Sequence, residues 1–159
     1  MSLPEFDHDS NDTRRRKRRR NSVRVGRTHV GKGIFAQRRY TKFSIIGEIE
    51  GEVVDDPEYT SPHCFDIGDG EVLEPRSPFR FVNHSCEANC AFDYMRVKSK
   101  VGTPNCKHLY MFAVGEIRPG EELTIDYNWS LDAAIPCRCQ AETCRGWIAE
   151  ESQLANSRK

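Results

Sequence analysis

No stretch of this chain holds a helical period. From Val23 onward the apolar residues come in short runs with alternating spacing, as in Phe43 and Ile45 and then Ile49 and Val53. That spacing sends successive side chains to opposite faces of a pleated strand. Glycine and proline punctuate the runs at Gly31 and Gly33, Gly68 and Gly70, Pro78, Pro104, and Pro119 with Gly120. The pattern predicts many short strands, tight turns and little helix, with a helix-compatible stretch only near the end, around Glu150 and Leu154. The clearest local unit runs from residues 109–114 through Arg118, Pro119, Gly120 and Glu121 to residues 123–127. Pro119 presets the backbone angle at the second position of a type II turn, and Gly120 accepts the positive φ required at the third. Two strands are predicted to flank that turn.

At 159 residues the chain is about one domain long. Its 37% hydrophobic and 30% charged content fits a globular protein, and no apolar run approaches the roughly 20 residues that would span a bilayer. No apolar segment follows a basic start, so the expectation is an intracellular protein without a membrane partner. The formal net charge is +0 although Arg14, Arg15, Arg16, Lys17, Arg18, Arg19 and Arg20 are consecutive, so the remainder is acidic on balance. Such a block repels itself and cannot be buried, which predicts a disordered basic tail over residues 1–22. It reads as a solvated linker, or as a contact for phosphates of a nucleic acid or a nuclear import signal.

Seven cysteines, Cys64, Cys86, Cys90, Cys106, Cys137, Cys139 and Cys144, are an odd set that cannot pair completely into disulfides within one chain. Cys137, Cys139 and Cys144 follow a C-x-C-x4-C spacing that brings three thiolates into one short loop. Soft sulfur ligands suit zinc, and a structural zinc site closes a tetrahedron of four. Spacing alone leaves the fourth ligand open.

Two further runs are weak signals in isolation. Arg80, Phe81, Val82, Asn83, His84, Ser85 and Cys86 set polar side chains directly behind apolar ones, and a buried polar cluster needs partners for every group. Gly31, Lys32, Gly33, Ile34 and Phe35 form a G-x-G ahead of a strand, where missing side chains let backbone approach a bound molecule. This run lacks the longer glycine fingerprint of dinucleotide folds and the G-K-S/T of phosphate loops, so neither nucleotide class is expected.

Taken in order, G-x-G near the start, R-F-x-N-H-S-C in the middle, G-E-E-L-T-x-D-Y near the end and C-x-C-x4-C-R-G at the tail resemble the SET-domain protein lysine methyltransferases that carry a post-SET zinc-binding segment. The likeness runs over residues 23–149. It implies a mostly β fold of several small sheets, of β-clip type, with a C-terminal pseudoknot in which the Asn83 segment and residues 123–127 thread together. The implied organisation is a basic tail (1–22), a SET domain (23–130), a post-SET segment (131–150) and a C-terminal tail (151–159).

By the same resemblance, S-adenosylmethionine sits against Lys32, Gly33, Ile34 and Phe35, with Asn83 and His84 bonding its polar ends and Trp147 covering the adenine or lining the substrate groove. Tyr127 faces the methyl group as the catalytic residue. Cys86 becomes the fourth ligand of one structural zinc ion beside Cys137, Cys139 and Cys144. The implied activity is methyl transfer to a lysine side chain of a protein, with a histone tail as the family's common target. A nuclear or chromatin setting then follows for a eukaryotic source and a cytoplasmic one for a bacterial source.

Three departures stand out. Ile49 replaces a usual channel tyrosine, Ile125 replaces a usual Phe or Tyr two residues before Tyr127, and Ala88 replaces a proline. Isoleucine has no hydroxyl to hold a water in the space of further methyl groups, which predicts di- or trimethylation. The competing expectations are a catalytically weak SET module that binds peptide or chromatin and, behind it, a zinc-dependent nucleic-acid binder.

Overall fold

A computed structural model describes residues 22–56, 58–96 and 107–157. The expected basic tail, with Arg14 through to Arg20, lies outside the described residues, as do Pro104 and Cys106. Ser22, placed by sequence in the tail, belongs to the folded body. It is 2% exposed, and its carbonyl accepts the hydroxyl hydrogen of buried Tyr40 at 2.8 Å.

The described residues form twelve short strands in four small sheets, as the alternating pattern predicts. Strands β1 (Val23–Thr28) and β2 (Gly31–Ala36) make an antiparallel hairpin whose turn closes at Gly31, where φ is +125°. A Cβ is strained at that angle, so glycine belongs there. β3 (Ile45–Glu48) and β4 (Gly51–Val54) follow, then β5 (Phe65–Asp66), β6 (Val72–Pro75) and β7 (Asn83–His84). β8 (Cys90–Arg96), β9 (Lys107–Ala113) and β10 (Glu122–Ile125) complete the main body. β11 (Ile135–Pro136) and β12 (Trp147–Ile148) form a separate ladder, and α1 (Glu151–Ser157) ends the described chain. The residues assigned by sequence to a C-terminal tail thus include a helix, and its Leu154 is 7% exposed.

β10 holds the molecule together. It pairs antiparallel with β2 (Leu123 opposite Ile34) and parallel with β7 (Thr124 opposite Asn83, Ile125 opposite His84), giving the order β1-β2-β10-β7. Its burial alternates, with Leu123 and Ile125 inside and Glu122 and Thr124 partly exposed. Ile34, Ile46, Met111, Ile117 and Leu123, each at most 1% exposed, pack around these strands. Each such side chain contributes about 1.5–3 kcal/mol of hydrophobic stabilisation.

The turn at Gly120 has the expected positive φ, +90°, and Glu121 N–H donates to the Arg118 carbonyl at 3.2 Å. The strands on either side do not pair with each other, however. β9 lies between β3 and β8, and β10 crosses to β2 and β7.

Candidate active site and cysteine centre

The candidate site is built where β2, β10 and β7 pair side by side in one sheet, and the β2 and β7 residues line neither of the two cavities that meet at Trp129. Asn83 projects toward β2 and β10 and donates both hydrogens of its amide, one to the Lys32 carbonyl (3.0 Å) and one to Glu122 Oε1 (2.8 Å). Gly33 makes room for this arrangement: a Cβ there would lie 2.5 Å from Glu122 Oε1 and 3.0 Å from Asn83 Nδ2. Asn89 braces the same strand, donating to the Glu122 carbonyl (2.8 Å) and accepting from Thr124 N–H (3.0 Å). Spacing alone gives Glu122 and Asn89 no role. Their signal is three-dimensional, in that both act on β10 from a distance in sequence.

Tyr127 follows β10 and lines a cavity of about 310 Å³ with Ile125, Val82, Phe65, Phe79, Phe92 and Trp129. Its hydroxyl donates to the Val82 carbonyl at 2.7 Å, and its ring lies 5.3 Å from that of Trp129. Burial, helped by the Glu122 charge, pushes the phenol up to about 12, so it is a protonated hydroxyl at neutral pH. A second, more open hollow of about 390 Å³, lined by Thr60, Ser130 and Ala133, shares Ser61, Pro62 and Trp129 with the first.

His84 stands directly behind Tyr127, 8% exposed, with the two rings 5.4 Å apart. Its Nδ1 accepts the Tyr127 amide hydrogen at 3.2 Å. Burial lowers its pKa, which favours a neutral ring, and a neutral ring carries one N–H. With Nδ1 accepting, that hydrogen sits on Nε2, which faces Cys86 Sγ at 3.4 Å and donates to it.

Cys86 in turn lies 3.8 Å from Cys137 Sγ and 4.0 Å from Cys144 Sγ. A zinc–sulfur bond of about 2.3 Å puts the sulfurs of a regular tetrahedron about 3.8 Å apart, so the spacing fits. Backbone N–H groups point at the sulfurs, with Cys139 donating to Cys137, Arg145 to Cys86 and Gly146 to Cys144, each at 3.4 Å. Desolvation opposes ionisation at Cys139. N–H groups of Cys86 and Ala141, with the neighbouring thiols, nevertheless hold it below the ordinary thiol range, while desolvation pushes Cys86 and Cys137 above it.

His84 also falls within 4.8 Å of Cys86, Cys137 and Cys139 and is a potential ligand by distance. Cys144, whose Sγ lies 4.0 Å from that of Cys86, is the other candidate for a fourth donor, and the Tyr127 amide hydrogen on Nδ1 is consistent with an Nε2–H that donates to Cys86. Cys90 is a different kind of thiol: it is 2% exposed, and burial pushes it up to about 12, as expected of a packing residue.

A family model described as SET domain matches residues 31–128. The chain belongs to the SET domain family. It is 35% identical over 140 residues to the histone-lysine N-methyltransferase ash1 of Drosophila melanogaster, covering 77% of this chain and 6% of that protein. It is 34% identical over 159 residues to the histone-lysine N-methyltransferase TRX1 of rice, covering 89% of this chain and 15% of that one. The chain therefore spans only a small part of these relatives. A crystal structure of KRYPTONITE in complex with mCHH DNA, H3(1-15) peptide and SAH superposes with a TM-score of 0.65 at 27% identity, covering 79% of this chain and 29% of that one.

Within this SET domain, Lys32, Gly33, Ile34 and Phe35 lie side by side on β2, and Asn83 reaches the first of them. Ile34 is fully buried, and none of the four lines either cavity. Ile125 and Tyr127 share the cavity. Ile49 does not line it; this residue is 2% exposed in the core, and its N–H donates to the Leu109 carbonyl. Trp147 sits on β12 opposite Pro136, 45% exposed.

The cysteine loop is fastened to the SET domain by more than sulfur. Arg145 holds Asp126 through two bonds of 2.7 Å, Glu87 accepts from Thr143 N–H and Oγ1, and His29 on the β1–β2 turn meets the Arg138 carbonyl at 2.6 Å.

Proposed function

We propose that this SET domain transfers a methyl group from S-adenosylmethionine to the side-chain amine of a protein lysine, with a histone as substrate and chromatin as its setting. The observation that carries this reading is Tyr127, whose hydroxyl is tied to the Val82 carbonyl in a cavity where aromatic and aliphatic side chains mix with polar ones such as Asp66 and Arg80. SET-family membership, named histone-lysine N-methyltransferases among the relatives and SAH in a structural neighbour support it.

S-adenosylmethionine supplies an electrophilic methyl on a positively charged sulfur. Lys32, Gly33, Ile34 and Phe35 present β2 backbone to it, Asn83 and His84 border it, and Trp147 and Tyr127 bound it on other sides. Ile125 and Tyr127 are the proposed channel residues, whereas Ile49, expected there by family likeness, is buried in the core and does not line the cavity. A free lysine has a pKa of about 10.4, so about one in a thousand is neutral at pH 7.4. The apolar part of the lining and the positive sulfonium both disfavour the ammonium and so raise the reactive fraction. Tyr127, protonated throughout the neutral range, acts as an oriented dipole and not as a base. Positioning of amine against methyl supplies much of the remaining acceleration.

Cys86, Cys137, Cys139 and Cys144 are the proposed ligands of one zinc ion, whose contribution is to hold the loop. Residues 23–130 then act as the SET domain and 131–150 as its post-SET segment. Incubation with labelled S-adenosylmethionine, a panel of histones and a cell extract, followed by mass spectrometry, tests the reading. Label on a lysine supports it. S-adenosylmethionine binding without label on any protein would favour a peptide-binding module with weak catalysis, a reading that draws its support from the aliphatic Ile125 in the cavity.

A further inference from the structure

We propose that His84 is a positioning residue that couples the four-cysteine centre to Tyr127 through its two ring nitrogens. The inference rests on the methyltransferase reading for its kinetic consequence, but not for its structural one.

Both nitrogens are already committed within the protein. Nδ1 accepts the Tyr127 amide hydrogen (3.2 Å) and Nε2 donates to Cys86 Sγ (3.4 Å). The ring is almost fully buried, and Asp126, 3.5 Å from Nδ1, is already engaged by Arg145. The imidazole therefore has no nitrogen left for a cofactor. It is instead a rigid spacer of fixed tautomer between one sulfur of the centre and the peptide group that carries the catalytic tyrosine. The hydroxyl end of Tyr127 is fixed separately on Val82. The phenol is thus held at its tip by Val82 and at its backbone N–H by His84, two residues apart on one segment, and the His84 ring carries the further bond to Cys86. A donor on a metal-bound sulfur also withdraws charge from it, so the same hydrogen bond tunes the centre.

Two half-variants separate the links. His84→Asn places an amide oxygen near the Nδ1 position and keeps an acceptor for Tyr127 N–H, but does not reach Cys86. His84→Gln extends an amide N–H toward Cys86 and loses the acceptor for Tyr127. Each is compared with wild type by zinc affinity in chelator competition, by the thiolate-to-metal absorption band of the cobalt-substituted protein, and by kcat with the S-adenosylmethionine Kd measured directly.

In His84→Asn we expect a displaced cobalt band and zinc affinity lowered by about 10–100-fold, with kcat at saturating zinc lowered by less than in His84→Gln. In His84→Gln we expect a near-native cobalt band and kcat lowered by about 10–100-fold, with S-adenosylmethionine Kd nearly unchanged. A large rise in that Kd for both variants would make His84 a cofactor ligand and overturn the proposal. Native cobalt bands and native kcat in both would overturn it equally. If wild type itself transfers no methyl group, the methyltransferase reading fails on its own. The cobalt band and zinc affinity then still decide the Cys86 link, and hydrogen exchange of the Tyr127 amide, faster in His84→Gln but not in His84→Asn, decides the Tyr127 link.

Discussion

The phenol of Tyr127 donates its hydrogen to the carbonyl oxygen of Val82 at 2.7 Å, across 45 residues of sequence. Removing the hydroxyl strips the cavity of its one oriented phenolic dipole and leaves a largely buried carbonyl without its donor. Tyr127→Phe is expected to abolish nearly all methyl transfer while changing S-adenosylmethionine affinity little, and to cost about 1–3 kcal/mol of stability. Single-turnover transfer, titration calorimetry and thermal melts measure the three. Wild-type turnover in the variant would remove Tyr127 from catalysis.

The same burial sets an alkaline boundary. The Tyr127 phenol is raised to about 12 by desolvation and then by Glu122, against an unfolded value of about 10. A pKa raised by folding leaves stability intact below about pH 10 and erodes it as pH climbs toward 12. Ultraviolet titration of wild type minus Tyr127→Phe should show one phenol ionising well above its ordinary range. An ordinary midpoint would mean that water reaches the hydroxyl.

Gly33 is set by its neighbours rather than by its φ. Gly33→Ala drives a methyl group to 2.5 Å from Glu122 Oε1 and 3.0 Å from Asn83 Nδ2. Overpacking of this kind costs about 1–3 kcal/mol, and here it also parts Asn83 from Glu122. We expect weaker S-adenosylmethionine binding by tenfold or more (about 1.4 kcal/mol) in a protein that still folds, read by calorimetry beside a melt.

Chelation should loosen the C-terminal loop before the body. The four sulfurs gather a loop otherwise held by Arg145 to Asp126 and Thr143 to Glu87, whereas β1 to β10 have their own core. One zinc per chain is expected by metal analysis. On its removal, hydrogen exchange should accelerate in residues 135–148 while the β2 and β10 amides stay protected. Uniform exchange across the whole chain would show the metal to be part of the global fold.

Ile125 lines the cavity with no hydroxyl to hold a water. Di- or trimethylated product is expected, and Ile125→Tyr should shift it toward monomethyl. Mass spectra showing only monomethyl-lysine from wild type on every good substrate would contradict this.

Local periodicity made the strands, the Gly120 turn and the scarcity of helix legible, because each depends on residues a few positions apart. The cysteine centre was partly legible. Cys137, Cys139 and Cys144 announce themselves by spacing, but Cys86 joins them only because β7 lies against β10, a contact between distant segments. Family likeness pointed to Asn83 and His84, yet not to what their side chains bond. Asn83 turns to Lys32 and Glu122, and His84 to Tyr127 and Cys86. Ile49 illustrates the opposite limit: family likeness put it in the channel, yet it sits between β3 and β4, buried in the core, and does not line the cavity.

The placement of β10 between β2 and β7 has a consequence for synthesis on the ribosome. Chains emerge N-terminus first, so β1 and β2 are made long before the strand that completes their sheet. Until Glu122 and Leu123 arrive, β2 presents an open edge beside Ile34. Such an edge invites pairing with other chains. Any nascent or truncated product that stops short of β10 is therefore expected to be sticky as well as inactive, and the sheet is complete only when β10 is threaded between β2 and β7.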